Sequence, residues 1–282
     1  MPTAPAAPTG RLGPDAVAAI AELCRRSLPE DPPSTAELAL SLFGGPTPAS
    51  VRGDPQVGVV ATVVRRDAAF VRLLAVDPAH RRRGVGHALM EAAEADLSGS
   101  GPITVGADAP DYLFPGVDTR WTPMFCLMEA RGYRRVETHL NMDVDLATLP
   151  PRPDGVHVAD ADDRQEVAGW MAAAWPDWAD EVLRALDDGH LALSRDSEGI
   201  SAFCAWDVNR GGWLGPIAVR PGEYGKRLGV PLLLEALHRM RDDGRQRAEI
   251  AWVSPIRFYA RNVGATVGRA FVVHRKQMRA KA

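Results

Sequence analysis

Two stretches of this chain lie on one another without a gap, and each has the order strand, turn, helix. The first runs from Phe70 to Leu97. Its apolar run, Phe70 to Val76, reads as a strand buried on both faces, because a one-sided strand would alternate. Asp77-Pro78 ends that strand, since proline donates no ladder hydrogen bond and restrains the residue before it. Arg81, Arg82 and Arg83 lead into Gly84-Val85-Gly86, and a helix follows with Leu89, Ala92, Ala93 and Leu97 on one face. In the second stretch Trp213 to Val219 repeats the strand, residues 219–229 repeat the turn of residues 76–86, and Val230 to Arg241 repeats the helix. Ile250 to Val253 then stands where Ile103 to Val105 stands in the first. Repetition on this scale restricts the chain to two copies of one α/β unit.

A glycine turn at a helix start presents free backbone N–H groups, and the helix dipole there favours an anion. Glycine lets the backbone approach a phosphate, and Arg81, Arg82 and Arg83 add charge beside it. The other reading, a solvated basic cap, loses ground because a strand precedes the turn and a helix follows it. The turn lacks the Gly-Lys-Ser/Thr of a Walker loop and the three spaced glycines of a Rossmann loop.

Along the chain, Asp15 to Arg26 is expected to be a helix with Val17, Ile20, Ala21 and Cys24 inward, and Ser34 is expected to cap a second helix with Glu37 three residues on. Val57 to Val64 reads as a strand, with Arg65-Arg66-Asp67 as a turn before the next. Asp108 to Trp121 is polar, proline-bearing and aromatic, so it reads as a functional loop rather than core. Pro123 to Ala130 reads as a helix and Tyr133 to Val144 as closing strands. Thr148 to Gly155 carries three prolines and reads as a stiff connector. After it come strands at 156–158, 191–194 and 201–208, and helices at 160–174 and 178–186. The expected division is a disordered tail over 1–13, a first domain over 14–147, a linker over 148–155 and a second domain over 156–282.

The turn motif resembles the pyrophosphate loop of the GNAT superfamily of N-acetyltransferases, whose signature Gln/Arg-x-x-Gly-x-Gly/Ala follows a strand ending in Val-x-Pro. Here it stands as Val76-Asp77-Pro78, then Arg81-Arg82-Arg83-Gly84-Val85-Gly86. The resemblance implies two tandem GNAT domains, each a mixed, mostly antiparallel sheet flanked by helices, with acetyl-CoA as acetyl donor. Tyr112 to Asp118, Asn141 to Leu146 and Gly212 to Pro216 narrow it toward bacterial two-domain glucosamine/glucosaminide N-acetyltransferases. Mycothiol synthases are the other tandem family to weigh, without a substrate-specific motif in view.

What the resemblance implies can be placed residue by residue. Leu74, Ala75 and Val76 would offer backbone N–H to the thioester, with Val76 at the reacting end, while Arg81 to Gly86 and His87 would hold the pyrophosphate. In the second copy Ile217, Val219, Gly225, Lys226, Arg227 and Gly229 take those places, although Tyr224 replaces the signature arginine and Arg227 the first glycine. A tyrosine that protonates departing thiolate matches Tyr259 in the second copy, where the first has Met128. Asp108, Asp111 and Asp118, and Glu249 in the second copy, are candidates for the base that takes the amine's proton. Asp108, Asp111, Tyr112 and Trp121 are the expected acceptor-binding residues.

A net charge of −3 argues against a protein devoted to nucleic acid. Three scattered cysteines and seven histidines suggest neither disulfides nor a metal site, and so a reduced, cytoplasmic setting. No apolar run approaches membrane-spanning length, and MPTAPAAPTG lacks the features of a signal peptide. The expected partner is a small amine, and the expected state a monomer or homodimer. A non-catalytic acyl-CoA-binding protein with two worn copies is the alternative from another class.

Overall fold

The computed structural model describes residues 10–65 and 68–278. The chain divides into two compact units, Met1–His139 with Phe271–Ala282, and Leu140–Ala270.

Unit 1 opens with β1 (Arg11–Leu12), so the expected tail is already strand at those residues, and residues 1–9 lie outside the described ones. α1 (Val17–Ser27) buries Ile20, Ala21, Leu23 and Cys24. Ser34 caps α2 (Thr35–Leu38) as expected: its hydroxyl accepts from Glu37 N at 3.2 Å, and the Glu37 carboxylate accepts from Ser34 N at 2.7 Å. β2 (Ser50–Asp54), unforeseen in the sequence, pairs antiparallel with β1 and with β3 (Gly58–Arg65). β3 pairs antiparallel with β4 (Ala68–Val76); Arg66 and Asp67 of the expected turn lie outside the described residues.

β4 is not buried on both faces. Ala69, Val71, Leu73 and Ala75 are buried while Phe70, Leu74 and Val76 are half-buried, and the register slips at Arg72, which is inserted as a bulge. α3 (Val85–Asp96) leads to β5 (Ile103–Val105), which runs parallel to β4. β6 (Val117–Asp118) and α4 (Thr122–Ala130) follow, and β7 (Arg134–Asp145) starts in unit 1 and ends in unit 2.

Unit 2 contains β8 (His157–Val158), α5 (Arg164–Ala174), α6 (Ala179–Asp187), β9 (Leu191–Asp196), β10 (Gly199–Trp206) and β11 (Trp213–Val219). α7 (Gly229–Asp242), β12 (Arg247–Val253) and α8 (Ile256–Val263) complete the repeat, and β13 (Thr266–Lys276) returns the chain to unit 1. Of the pairs around the two central strands, β4–β5 and β11–β12 are parallel and the neighbours are antiparallel, the mixed sheet expected.

The last strand of each repeat does not stay with its own copy. The sheet of unit 1 runs β1-β2-β3-β4-β5 and ends on the second half of β13, with His274 opposite Val105 and Lys276 opposite Ile103. The sheet of unit 2 runs β8-β9-β10-β11-β12 and ends on the second half of β7, with Asp145 opposite Arg247. The division therefore falls within β7 and β13 and not at the expected linker, residues 148–155. That stretch lies inside unit 2, laced to α7 by Arg152, which donates to Glu235 at 2.7 and 2.8 Å and to Asp242 at 2.7 Å. The repeat is visible in sequence; the exchange of its final strands is not.

Unit 1 packs apolar side chains on both sides of its sheet. Ile20, Leu23, Leu38 and Leu42 meet Val59, Ala61, Leu73 and Ala75 on one side, and Val85, Leu89 and Met90 meet Val60, Val71 and Ile103 on the other. Each such side chain larger than alanine contributes about 1.5–3 kcal/mol by burial, which holds β4 between two layers. No helix among the described residues is long and apolar enough to cross a membrane.

Candidate functional site

The site begins where two strands part. β4 and β5 pair only from Ala69–Ile103 to Val71–Val105, and Gly106 N then donates to Val71 O at 3.0 Å. Beyond that point β4 continues to Val76 with β3 on its other side. The departing chain needs glycine: at Gly106 (φ +73) a Cβ would stand 2.6 Å from Gly116 Cα. Asp77 N donates to Val57 O at 3.0 Å, so strand alternation turns the N–H groups of Leu74 and Val76 toward the open edge. Val76 O, on the same side, accepts from Arg81 Nε at 3.2 Å.

A cavity of about 890 Å³ lies along that edge, lined by Leu74 to Val76, by the turn before α3, by Trp121 and by α4. Its size is that of a small-molecule site. The turn is shaped as its sequence suggests. Gly84 sits in the left-handed region (φ 84) and is followed directly by α3. The first helical bond runs from Ala88 N to Gly84 O at 3.0 Å, so the N–H groups of Val85, Gly86 and His87 have no partner within the helix. Gly86 packs closely on α4, since a Cβ there would lie 3.2 Å from Leu127 Cδ2 and push that side chain aside.

The three arginines part company. Arg81 braces the turn, its Nη2 donating to Ser27 O at 2.7 Å at the end of α1. Arg82 (φ 60) is exposed and lines the cavity; Arg83 is exposed outside the lining. Arg26 donates to Asp77 at 2.8 Å, and that hydrogen bond holds the Asp77 carboxyl below its usual range.

The loop over Asp108 to Trp121 is largely core, contrary to the expectation of an open functional loop. Residues 111–118 are buried, with Leu113 and Phe114 packed beneath the sheet. Asp108 is wholly buried between Arg65 (2.5 Å) and Arg72 (2.6 Å), and Asp111 meets Arg65 at 2.7 Å. Burial pushes the Asp108 carboxyl up, against the pull of the two guanidinium groups. Arg72 also reaches Ser41 O and lines the cavity from below. Asp118 is buried and accepts from Arg120 N at 2.9 Å and Arg120 Nη2 at 2.7 Å. Asp108, Asp111, Tyr112 and Asp118 stand outside the cavity lining, and only Trp121 of the expected acceptor-binding residues is on it. The polar composition of the loop hid this, because the partners of Asp108 and Asp111 lie on β3 and β4. Arg72, an arginine inside an apolar run, was the available signal.

The second copy keeps the backbone and changes the side chains. β11 pairs with β12 only at Trp213–Glu249 and Leu214–Ile250, so its remainder, with Ile217 and Val219, has the same one-sided pairing as β4. Arg220 N donates to Ser201 O at 2.7 Å, as Asp77 N does to Val57 O. Gly225 (φ 88) and Arg227 (φ 61) are left-handed where Arg82 and Gly84 are, so the turn survives the loss of its glycine. Lys226 is held by Glu223 at 2.7 Å, and Gly229 opens α7 against Phe258. Glu249, the expected base of this copy, accepts from Asn141 (2.6 Å), Trp213 Nε1 (3.1 Å) and Arg269 (3.1 Å), which makes it a structural node. Tyr259 on α8 and Met128 on α4 are both buried in core, and burial pushes the Tyr259 phenol well up. Three donor atoms from His190, Asp207 and Asp243 lie within 4.8 Å of one another in this unit, with Asp207 held by Arg245 at 3.0 Å; the sequence had not brought them together.

Residues 51–113 match the acetyltransferase (GNAT) domain family. Over 279 residues the chain is 31% identical to a mycothiol acetyltransferase of Clavibacter sepedonicus, covering 88% of this chain and 87% of that one. It is 31% identical over 271 residues to a mycothiol acetyltransferase of Kineococcus radiotolerans, covering 84% and 86%. Among solved structures, a glucosamine N-acetyltransferase region of a fungal multi-domain β-N-acetylglucosaminidase superposes with TM-score 0.77 at 21% identity, over 97% of this chain and 38% of that one. A tandem GNAT protein from the clavulanic acid biosynthesis pathway superposes with TM-score 0.68 at 16% identity, over 96% and 98%. Identities this low speak to the fold alone.

Proposed function

From the premise that this chain belongs to the GNAT family and is an N-acetyltransferase, we propose that unit 1 binds acetyl-CoA and passes its acetyl group to a small primary amine by direct attack in a ternary complex. One observation carries this reading. The open edge of β4, the left-handed glycine turn and the cavity occur together in unit 1.

The N–H groups of Val85, Gly86 and His87 receive the pyrophosphate at the positive end of α3, and Arg82 adds charge there. Binding energy from that remote part of the donor fixes the thioester against β4. The backbone N–H groups of Leu74 and Val76, on the open edge, then face the thioester oxygen as it gains negative charge. A donor of this kind is worth about 3 kcal/mol of barrier. The amine's lone pair forms the C–N bond, the C–S bond breaks, and the thiolate leaves with its electron pair and collects the proton that the amine loses. A thiolate leaves readily, so Met128 in place of an acid is tolerable in this copy.

The relatives alike over most of both chains carry the name mycothiol acetyltransferase. That favours an acceptor of the mycothiol kind over the free amino sugar suggested by the narrower sequence resemblance. A thiol-release assay with acetyl-CoA tests both, run against the deacetylated mycothiol precursor, glucosamine, polyamines and aminoglycosides. Release with none of them overturns the reading of unit 1 as a transfer site. Faster release with glucosamine than with the mycothiol precursor returns the acceptor to the amino-sugar class.

A further inference from the structure

We propose that Glu30 is the group that recognises the acceptor's ammonium, and that it selects cationic primary amines for the cavity. The inference rests on the reading of unit 1 as the transfer site. It adds the residue that chooses the acceptor.

The carboxylates that the sequence offered for this task, Asp108, Asp111 and Asp118, are buried outside the cavity and committed to Arg65, Arg72 and Arg120. Among the described residues on the cavity wall, Glu30 is the one carboxylate. It is exposed, in the turn that follows α1, where Asp31 N donates to Leu28 O at 3.1 Å. That turn is anchored to the phosphate-binding loop from the other side, because Arg81 holds Ser27 O at 2.7 Å and Arg26 holds Asp77 at 2.8 Å. The backbone that carries Glu30 is therefore tied to the loop that would hold the donor.

Of the arginines on the same wall, Arg82 is left for the donor's pyrophosphate, and the others are paired or hydrogen-bonded. Arg26 is paired with Asp77, Arg72 with Asp108 and Arg120 with Asp118, while Arg81 is spent on two backbone carbonyls. Glu30 is close enough to Arg120 for its charge to help hold that guanidinium protonated, after the larger effect of the Asp118 hydrogen bond. An uncommitted carboxylate on a small-molecule cavity raises the local concentration of a cation. Most primary amines are ammonium ions at neutral pH, so this is the form that reaches the cavity, and it gives one proton to solvent to free the lone pair that attacks. The recognition is of the ground state. Loss of Glu30 should therefore act on the acceptor's KM and leave the rate of the chemical step.

The test is Glu30→Gln, with Glu30→Asp beside it, in the full chain and with the fastest amine of the thiol-release panel. The acceptor KM should rise about tenfold or more, kcat should stay within about threefold, and acetyl-CoA Kd by calorimetry should be unchanged. Glu30→Asp should recover part of the loss. Added salt should raise the wild-type KM and leave that of Glu30→Gln flat, a split that a merely structural residue would not produce. An acceptor KM within about twofold of wild type would overturn the assignment while leaving the transferase intact. A wild-type protein that binds acetyl-CoA yet releases no thiol with any amine would overturn the transfer site, and the role of Glu30 with it.

Discussion

Gly84 and Arg227 occupy one place in the two copies, and both are left-handed, at φ 84 and φ 61. Glycine takes that conformation freely; a residue with a Cβ is strained there by roughly 1–2 kcal/mol. The fold of unit 2 therefore holds its turn in the phosphate-cradling shape against a local cost. Gly84→Asp adds a side chain in a strained backbone and a negative charge where the pyrophosphate is expected. Acetyl-CoA binding by calorimetry should fall below detection in Gly84→Asp and change less in Gly229→Asp. Equal losses would show that both loops are used alike. Asp108 argues the other way, as a residue whose role is in the fold. Asp108→Asn leaves the buried Arg72 and half-buried Arg65 short of a counter-charge, and should cost about 3–5 kcal/mol in chemical denaturation. In the folded variant the acceptor KM should stay near wild type. A large KM change at undiminished stability would return Asp108 to the acceptor site.

The elements that chemistry requires to be regular were legible in the sequence. The Ser34–Glu37 capping box, the glycine turn and the apolar strands at 70–76 and 213–219 follow from local rules, and they stand where those rules put them. What was not legible depends on partners distant in sequence. The loop at 108–118 looked exposed because Asp108 and Asp111 are neutralised by Arg65 and Arg72, tens of residues earlier. Of the expected acceptor residues only Trp121 lies on the cavity, and Glu30, also on its wall, sits in a short turn without a motif. β13 is the largest omission. Its second half covers the edge of β5 and inserts Phe271, fully buried, among Leu113, Phe114 and the α1 side chains. A fragment of residues 1–147 follows the apparent repeat boundary and lacks both. Losing a buried phenylalanine costs about 3–5 kcal/mol, and the bared β5 edge invites aggregation. That fragment should show no cooperative thermal unfolding by circular dichroism. A cooperative transition matching the full chain would show that β13 is dispensable to unit 1.

At the scale of the molecule the question is how one family's machinery is shared between two copies. Unit 1 has the unaltered loop and the cavity; unit 2 has the backbone of the loop and the tyrosine. Gly86 meets Leu127 of α4 as Gly229 meets Phe258 of α8, so the residues after them, Met128 and Tyr259, are equivalent. Tyr259 is buried among apolar side chains of unit 2, near Cys204, and that burial keeps its phenol protonated throughout the physiological range. A protonated phenol suits the donation of a proton to a departing thiolate; it suits a packed core equally. The two roles differ in what the hydroxyl is worth. If transfer takes place in unit 1, Tyr259→Phe removes one oxygen from a core ring and should leave kcat within about threefold, with stability changed by roughly 1 kcal/mol. If kcat falls by about two orders of magnitude while melting and acetyl-CoA binding in unit 1 are preserved, the hydroxyl is donating in the transition state. The chemistry then belongs to unit 2, and Gly84→Asp, which disables only the first loop, should spare much of the activity in the same assay.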